Sequence, residues 1–143
     1  MHLSVWCVDL QSLFQHVQRK KKIVGSWEVV DSDFYCSLYM NEGDVLSFRQ
    51  DYRFQLIPTD LDGDGGLIGK YMVENNAILL ESEKYDSNVV GYWEFMNFNG
   101  DFSIDRLNRN EMILSGVIKY TEYYDYSFHK ESLSGTVKFS KLK

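Results

Sequence analysis

A chain of 143 residues, 44% hydrophobic and 25% charged, is long enough to bury one core, too short for two ordinary domains, and too balanced for a disordered or fibrous protein. Its formal net charge is −6, and beyond the run Arg19, Lys20, Lys21, Lys22 it carries the remaining eleven of its fifteen Lys and Arg against twenty of its twenty-one Asp and Glu. That acidic body would repel a phosphate backbone, which argues against nucleic acid as a partner.

In chain order, the opening residues MHLSVWCVDLQSLF have no basic region ahead of a clean apolar core and a small-residue cleavage site. As the sequence stands this predicts a cytoplasmic protein; a trimmed natural start would make it periplasmic or secreted. No stretch approaches the roughly 20 apolar residues of a membrane span. Residues 9–22 predict a helix: Leu10, Leu13, Phe14 and Val17 share a face, Asp9 caps the start, and the basic run complements the carbonyl end of the helix dipole. Cys7 and Cys36 show neither C-x-x-C spacing nor neighbouring His, so two buried thiols are expected rather than a disulfide framework or a zinc site.

From Ile23 the pattern changes to alternation, and a barrel domain is expected over 23–143 behind the helical segment 1–22. The runs are 23–31, 44–50, 52–57, 69–75, 77–82, 89–97, 101–107, 111–124 and 134–142. Tight hairpins are expected at Gln50-Asp51, Asn75-Asn76, Asn99-Gly100 and Asn108–Asn110, where Asn and Gly accept positive φ. Strands joined this way lie side by side. With a 15% aromatic content suited to pleated surfaces, the fold class is all-β: an antiparallel up-and-down barrel of about eight strands, lipocalin-like in build, with a short N-terminal helix.

The sharpest local motif is Asp60-Leu61-Asp62-Gly63-Asp64-Gly65, with carboxylates at every second position. It resembles the first half of a calcium loop, and Asp60, Asp62 and Asp64, with the Gly66 carbonyl, would be the ligands of a Ca2+ ion. The second half departs from that pattern, since Tyr71 stands where a bidentate Glu belongs. A solvated acidic hairpin loop explains the same residues.

Gly25-Ser26-Trp27 at the head of the first strand, behind a short helix, resembles the N-terminal signature of lipocalins and, more closely, of bacterial lipocalin-like domain proteins. VLSFRQDYRFQL (45–56), GKYMVENNAILL (69–80) and IDRLNRNEMIL (104–114) resemble three further stretches of that pattern in the same order. The resemblance implies a calycin-like barrel whose closed end is plugged by Trp27, with Gly25 beside it, and a small apolar ligand. Two residues depart from it. The family's Arg over the Trp is missing, leaving Lys138 or Lys141 to place an ammonium there, and Tyr52 replaces a turn Gly.

Phe48, Phe54, Tyr71, Trp93, Phe95, Phe102, Tyr120 and Phe139 share the apolar parity of their runs and are the candidate ligand lining. In a small barrel the same rings can fill the interior entirely. The run Tyr120, Tyr123, Tyr124, Tyr126 predicts a strand end and loop fit for protein or sugar contact, and packing across a sheet edge explains it equally well. Catalysis finds no support: His2 and His16 lie in the N-terminal segment, His129 stands alone in an expected loop, and no phosphate loop occurs. Two functions follow: a non-catalytic binder of a small apolar or amphipathic ligand, or a structural or interaction module with a filled core that meets a protein partner.

Overall fold

The structure, a computed structural model, describes residues 20–34, 39–59, 66–85 and 97–143, with residues 83–85 and 122–124 described by backbone alone. Eight strands, β1 (Gly25–Ser32), β2 (Val45–Phe48), β3 (Arg53–Ile57), β4 (Leu67–Glu74), β5 (Ala77–Tyr85), β6 (Phe98–Leu107), β7 (Glu111–Tyr124) and β8 (Ser127–Lys141), form a closed antiparallel barrel in sequence order. β8 returns to β1 with Trp27 opposite Lys141 and Val29 opposite Phe139. The predicted all-β up-and-down barrel is what the chain forms, and closure removes the exposed edges of an open sheet.

Alternation explains each strand. In β4, Leu67, Gly69, Tyr71 and Val73 are buried while Lys70, Met72 and Glu74 face water; in β6, Phe98, Gly100, Phe102 and Ile104 alternate with Asn99, Asp101 and Ser103 in the same way. Three register shifts, at Val29/Asp31, Ile68/Gly69 and Ile104/Arg106, bend the sheet toward closure. Gly69 and Gly116 permit the tightest approaches, since a Cβ at either would lie 2.0 Å from a carbonyl oxygen of the next strand.

Several expectations need correction. Asn99-Gly100 is no hairpin: both residues lie inside β6, Gly100 opposite Leu80 on one side and Ile118 on the other. Pairing on both flanks outweighs the local turn preference, and the missing Cβ of Gly100 leaves space for the Phe102 ring. The last strand begins at Ser127 rather than at 134, so His129 sits in a strand opposite Glu122 instead of in a loop. The turn is Asp125-Tyr126, with φ of 51° and 62° at residues other than Gly; cross-strand pairing along β7 and β8 holds a turn that its composition does not announce. The predicted strand 89–97 falls outside the described residues except for Asn97, which is not in a strand; of the helix only residues 20–23 are described, and they are helical. The Asn75-Asn76 turn stands as expected, with φ of 52° at Asn75.

Candidate functional site

The two ends of the barrel differ in construction. At one end the strands are joined by short turns, 49–52, 75–76 and 108–110, and the helical turn packs across the opening. Trp27 is fully buried there, and its Nε1 donates to the Ile23 carbonyl at 2.7 Å. Lys141 Nζ stands 4.4 Å from the indole centroid and donates to the Val24 carbonyl at 2.6 Å. So Lys141, not Lys138, takes the position over the ring; Lys138 pairs outside with Glu111 at 3.4 Å. Burial holds the Lys141 ammonium below its usual pKa. Gly25, at φ 132°, leaves room for that ammonium, which a Cβ would meet at 2.5 Å. Lys20 caps the rim, its Nζ 3.4 Å from the Tyr52 centroid and 2.6 Å from the Gln50 carbonyl. Beneath it the Tyr71 hydroxyl donates to the Arg49 carbonyl, and burial first, then the Tyr52 and Asp51 charges, push its pKa up to about 12.

At the other end the connections are long: 33–44, 58–66 and 86–97. They carry Asp33, Glu42 and Asp44, then Asp60, Asp62 and Asp64, then Asp86 and Glu94, without a single Lys or Arg, and the β7–β8 turn adds Asp125. The short-turn end carries Lys20, Lys21, Lys22, Arg49, Arg109 and Lys143 against Asp51. In sequence, therefore, the long connections are acidic and the short turns basic.

The β1–β2 connection is tied down by Asp44, 1% exposed, whose carboxylate accepts from the Asn41 amide (2.9 Å), the Thr59 amide (3.0 Å) and the Thr59 hydroxyl (3.1 Å). It clamps the β1–β2 connection to the start of the β3–β4 connection. Asp33 clamps the other side of the β1–β2 connection to β8, its amide donating to the Thr136 carbonyl at 3.0 Å and its carboxylate accepting from the Thr136 amide. Between these clamps the connection sends Phe34, Tyr39 and Met40 into the core, at 2%, 4% and 0% exposure.

Among the nominated lining residues, Phe48, Phe54, Tyr71, Phe102, Tyr120 and Phe139 all point inward and belong to one packed cluster. Phe48 stacks edge-on against Tyr71 at 4.9 Å, toward the Trp27 end. Phe102 and Tyr120 lie toward the long-connection end, where Phe34 meets Phe102 at 6.2 Å and Tyr39 meets Phe98 at 5.0 Å and Tyr120 at 5.8 Å, all edge-to-face. Trp93, Phe95, Asp60, Asp62 and Asp64 lie outside the described residues. Among the described residues no group of His, Cys, Asp or Glu has the arrangement of a metal site, and no helix is long and apolar enough to cross a membrane.

Sequence reasoning missed Phe34, Tyr39 and Met40 because 32–43 has no alternation. The signal was its composition: DFYCSLYM is too apolar for a solvated connection. The Tyr-rich run divides, with Tyr120 in the core and Tyr126 at the tip of the β7–β8 turn, 95% exposed. Hollows on the outer wall, such as one of about 420 Å³ bordered by Tyr52, Arg53, Lys70, Met72 and Glu81, are open and shallow.

The chain matches no protein-family model, no curated protein and no solved structure.

Proposed function

We propose that this barrel is a non-catalytic binding protein for one small apolar or amphipathic molecule, admitted at the long-connection end. The observation that supports it is the unequal sealing of the two ends. At the Trp27 end the seal is made by a tryptophan of the first strand and a lysine of the last, joined to backbone carbonyls. At the other end Phe34, Tyr39 and Met40, borrowed from a connection, complete the packing that the strand side chains begin. The resemblance of Gly25-Ser26-Trp27 and the three later stretches to lipocalin-like proteins supports the same reading by analogy of architecture. The acidic composition of the long connections favours a ligand whose polar head is neutral or positive. The alternative, a module with a filled core that meets a protein through Tyr126 and Phe128, is supported by their exposure of 95% and 57% on the β7–β8 hairpin.

The test is native mass spectrometry of the purified chain, followed by solvent extraction and titration of the stripped protein with a neutral apolar dye such as N-phenyl-1-naphthylamine. One extracted molecule per chain, or saturable dye binding at one per chain, is the expected result. A bare chain that leaves the dye dark overturns the reading and turns the search toward the β7–β8 hairpin.

A further inference from the structure

The short-turn end gathers the positive charge of the chain. Five separate segments meet there, 20–24, 49–53, 74–77, 105–111 and 141–143, because an up-and-down barrel returns every second connection, the head of its first strand and the tail of its last to one end. Together they hold nine of the fifteen Lys and Arg but only four of the twenty-one Asp and Glu. The basic run at 20–22 is short in sequence, and the fold enlarges it. Lys20 Nζ reaches the Gln50 carbonyl at 2.6 Å, Lys22 borders the same hollow as Arg106, and the Lys141 amide donates at 2.9 Å to the carbonyl of Asn110, the neighbour of Arg109. Two of the four carboxylates are already paired, Asp51 with Arg49 at 3.5 Å and Glu111 with Arg106 at 3.1 Å. Lys21, Lys22, Arg109 and Lys143 are exposed and form no ion pair among the described residues. The same segments carry two apolar side chains in contact with water, Tyr52 and Leu142, each 41% exposed.

We infer that this end is a docking face for an anionic lipid surface, with Lys21, Lys22, Arg109 and Lys143 on the headgroups and Tyr52 and Leu142 at the acyl boundary. The inference is independent of the binding reading above. Three features select the partner. The cations are spread over five segments around the barrel, and a fluid layer of headgroups adjusts to scattered charges as a folded protein with fixed carboxylates does not. Leu142 gains burial at an acyl boundary and nothing from a phosphate backbone. The Tyr52 ring is already covered by the Lys20 ammonium, 3.4 Å from its centroid, so that face is not offered to a stacking base. The acidic connections do not oppose the contact. They lie beyond the eight residues of β4, roughly 20 Å along the axis once strand tilt is allowed, which is more than two Debye lengths at physiological salt.

The experiment sediments the full chain with extruded vesicles of phosphatidylcholine alone and of phosphatidylcholine containing one-third phosphatidylglycerol. Apparent affinity for the anionic vesicles is expected to exceed that for the neutral ones at least tenfold, and to fall at least fivefold in 0.5 M salt. Two double variants make the same change of charge in different places: Lys21→Glu with Arg109→Glu at the end, and Lys119→Glu with Lys130→Glu on the outer wall of β7 and β8. All four side chains are exposed, and circular dichroism with cooperative unfolding first establishes that each variant is folded. The end variant should lose at least fivefold on anionic vesicles, the wall variant should stay within twofold, and Leu142→Ser should lose at least twofold. Where the end variant does not fold, Lys21→Gln with Arg109→Gln takes its place, with a loss of at least threefold. No binding, equal binding to both vesicles, or equal loss in the end and wall variants overturns the docking face. Binding to polyglutamate or to an oligothymidylate without binding to vesicles overturns it as well, in favour of an acidic protein or a single-stranded nucleic acid.

Discussion

The short-turn end and the long-connection end of the barrel are closed by the same kind of side chain under opposite conditions. Trp27 belongs to a strand, donates to a backbone carbonyl and lies under an ammonium that itself grips the backbone. Phe34 and Tyr39 belong to a connection and pack edge-to-face against rings of β6 and β7. A strand residue is held by its neighbours on both flanks, so removing it leaves a hole the sheet cannot collapse into; a connection residue is held by its clamps, so removing its side chain leaves the ladders intact. The charges repeat the contrast in sequence, basic in the short turns near Trp27 and acidic in the long connections.

The largest expected effect comes from cutting the plugs in turn. Trp27→Ala should cost about 3–5 kcal/mol in denaturant unfolding, the usual range for a large aromatic removed from a core. Phe34→Ala should cost less than Trp27→Ala, because it removes a smaller ring that makes no hydrogen bond to a backbone carbonyl. Equal costs would erase the difference between the ends.

Next in size is Lys141→Met, which removes the cation over Trp27 and a hydrogen bond to the Val24 carbonyl while keeping most of the stem. A loss of about 1–2 kcal/mol is expected. A neutral result would mean that the indole is held by packing alone.

A smaller effect follows from Tyr71. Its folded pKa of about 12 exceeds the unfolded value of 10, so between these two the unfolded chain releases its proton first. The contribution to stability is complete below pH 10 and is lost as pH climbs toward 12. Tyr71→Phe should flatten the decline in unfolding midpoint across that window. An unchanged slope would place the alkaline loss elsewhere.

The smallest effect concerns the long connections. Of two probes sharing one aromatic body, that with an ammonium head should bind more tightly than that with a carboxylate head, and 0.5 M salt should narrow the gap. A preference for the anion would show that the connections do not set the field at the mouth.

Much of this molecule was legible from alternation alone. Leu46, Phe48, Phe54, Leu56, Tyr71 and Val73 show their inward parity as a string of letters, and Asn75-Asn76 shows its turn, because both are local consequences of backbone geometry. Asn99-Gly100 misled for the same reason: the local signal was sound, and a long-range pairing overruled it. The resemblance at Gly25-Ser26-Trp27 anticipated a cation over the indole but left Lys138 and Lys141 equal. Only the register of β8 on β1, which puts Lys141 opposite Trp27, separates them.

The sequence by itself determined the class of fold, most of the strands and the inward parity of Phe48, Phe54, Tyr71, Phe102, Tyr120 and Phe139, since each depends on residues a few positions apart. What only the tertiary structure decided is what meets inside: that Phe34 lies over Gly135 and Tyr39 between Phe98 and Tyr120. Those contacts join residues some sixty to one hundred positions apart in sequence, and no periodicity in the connecting chain records them. They arise because closing eight strands brings distant walls within one ring's width, and a short apolar segment then finds those walls as its nearest escape from water.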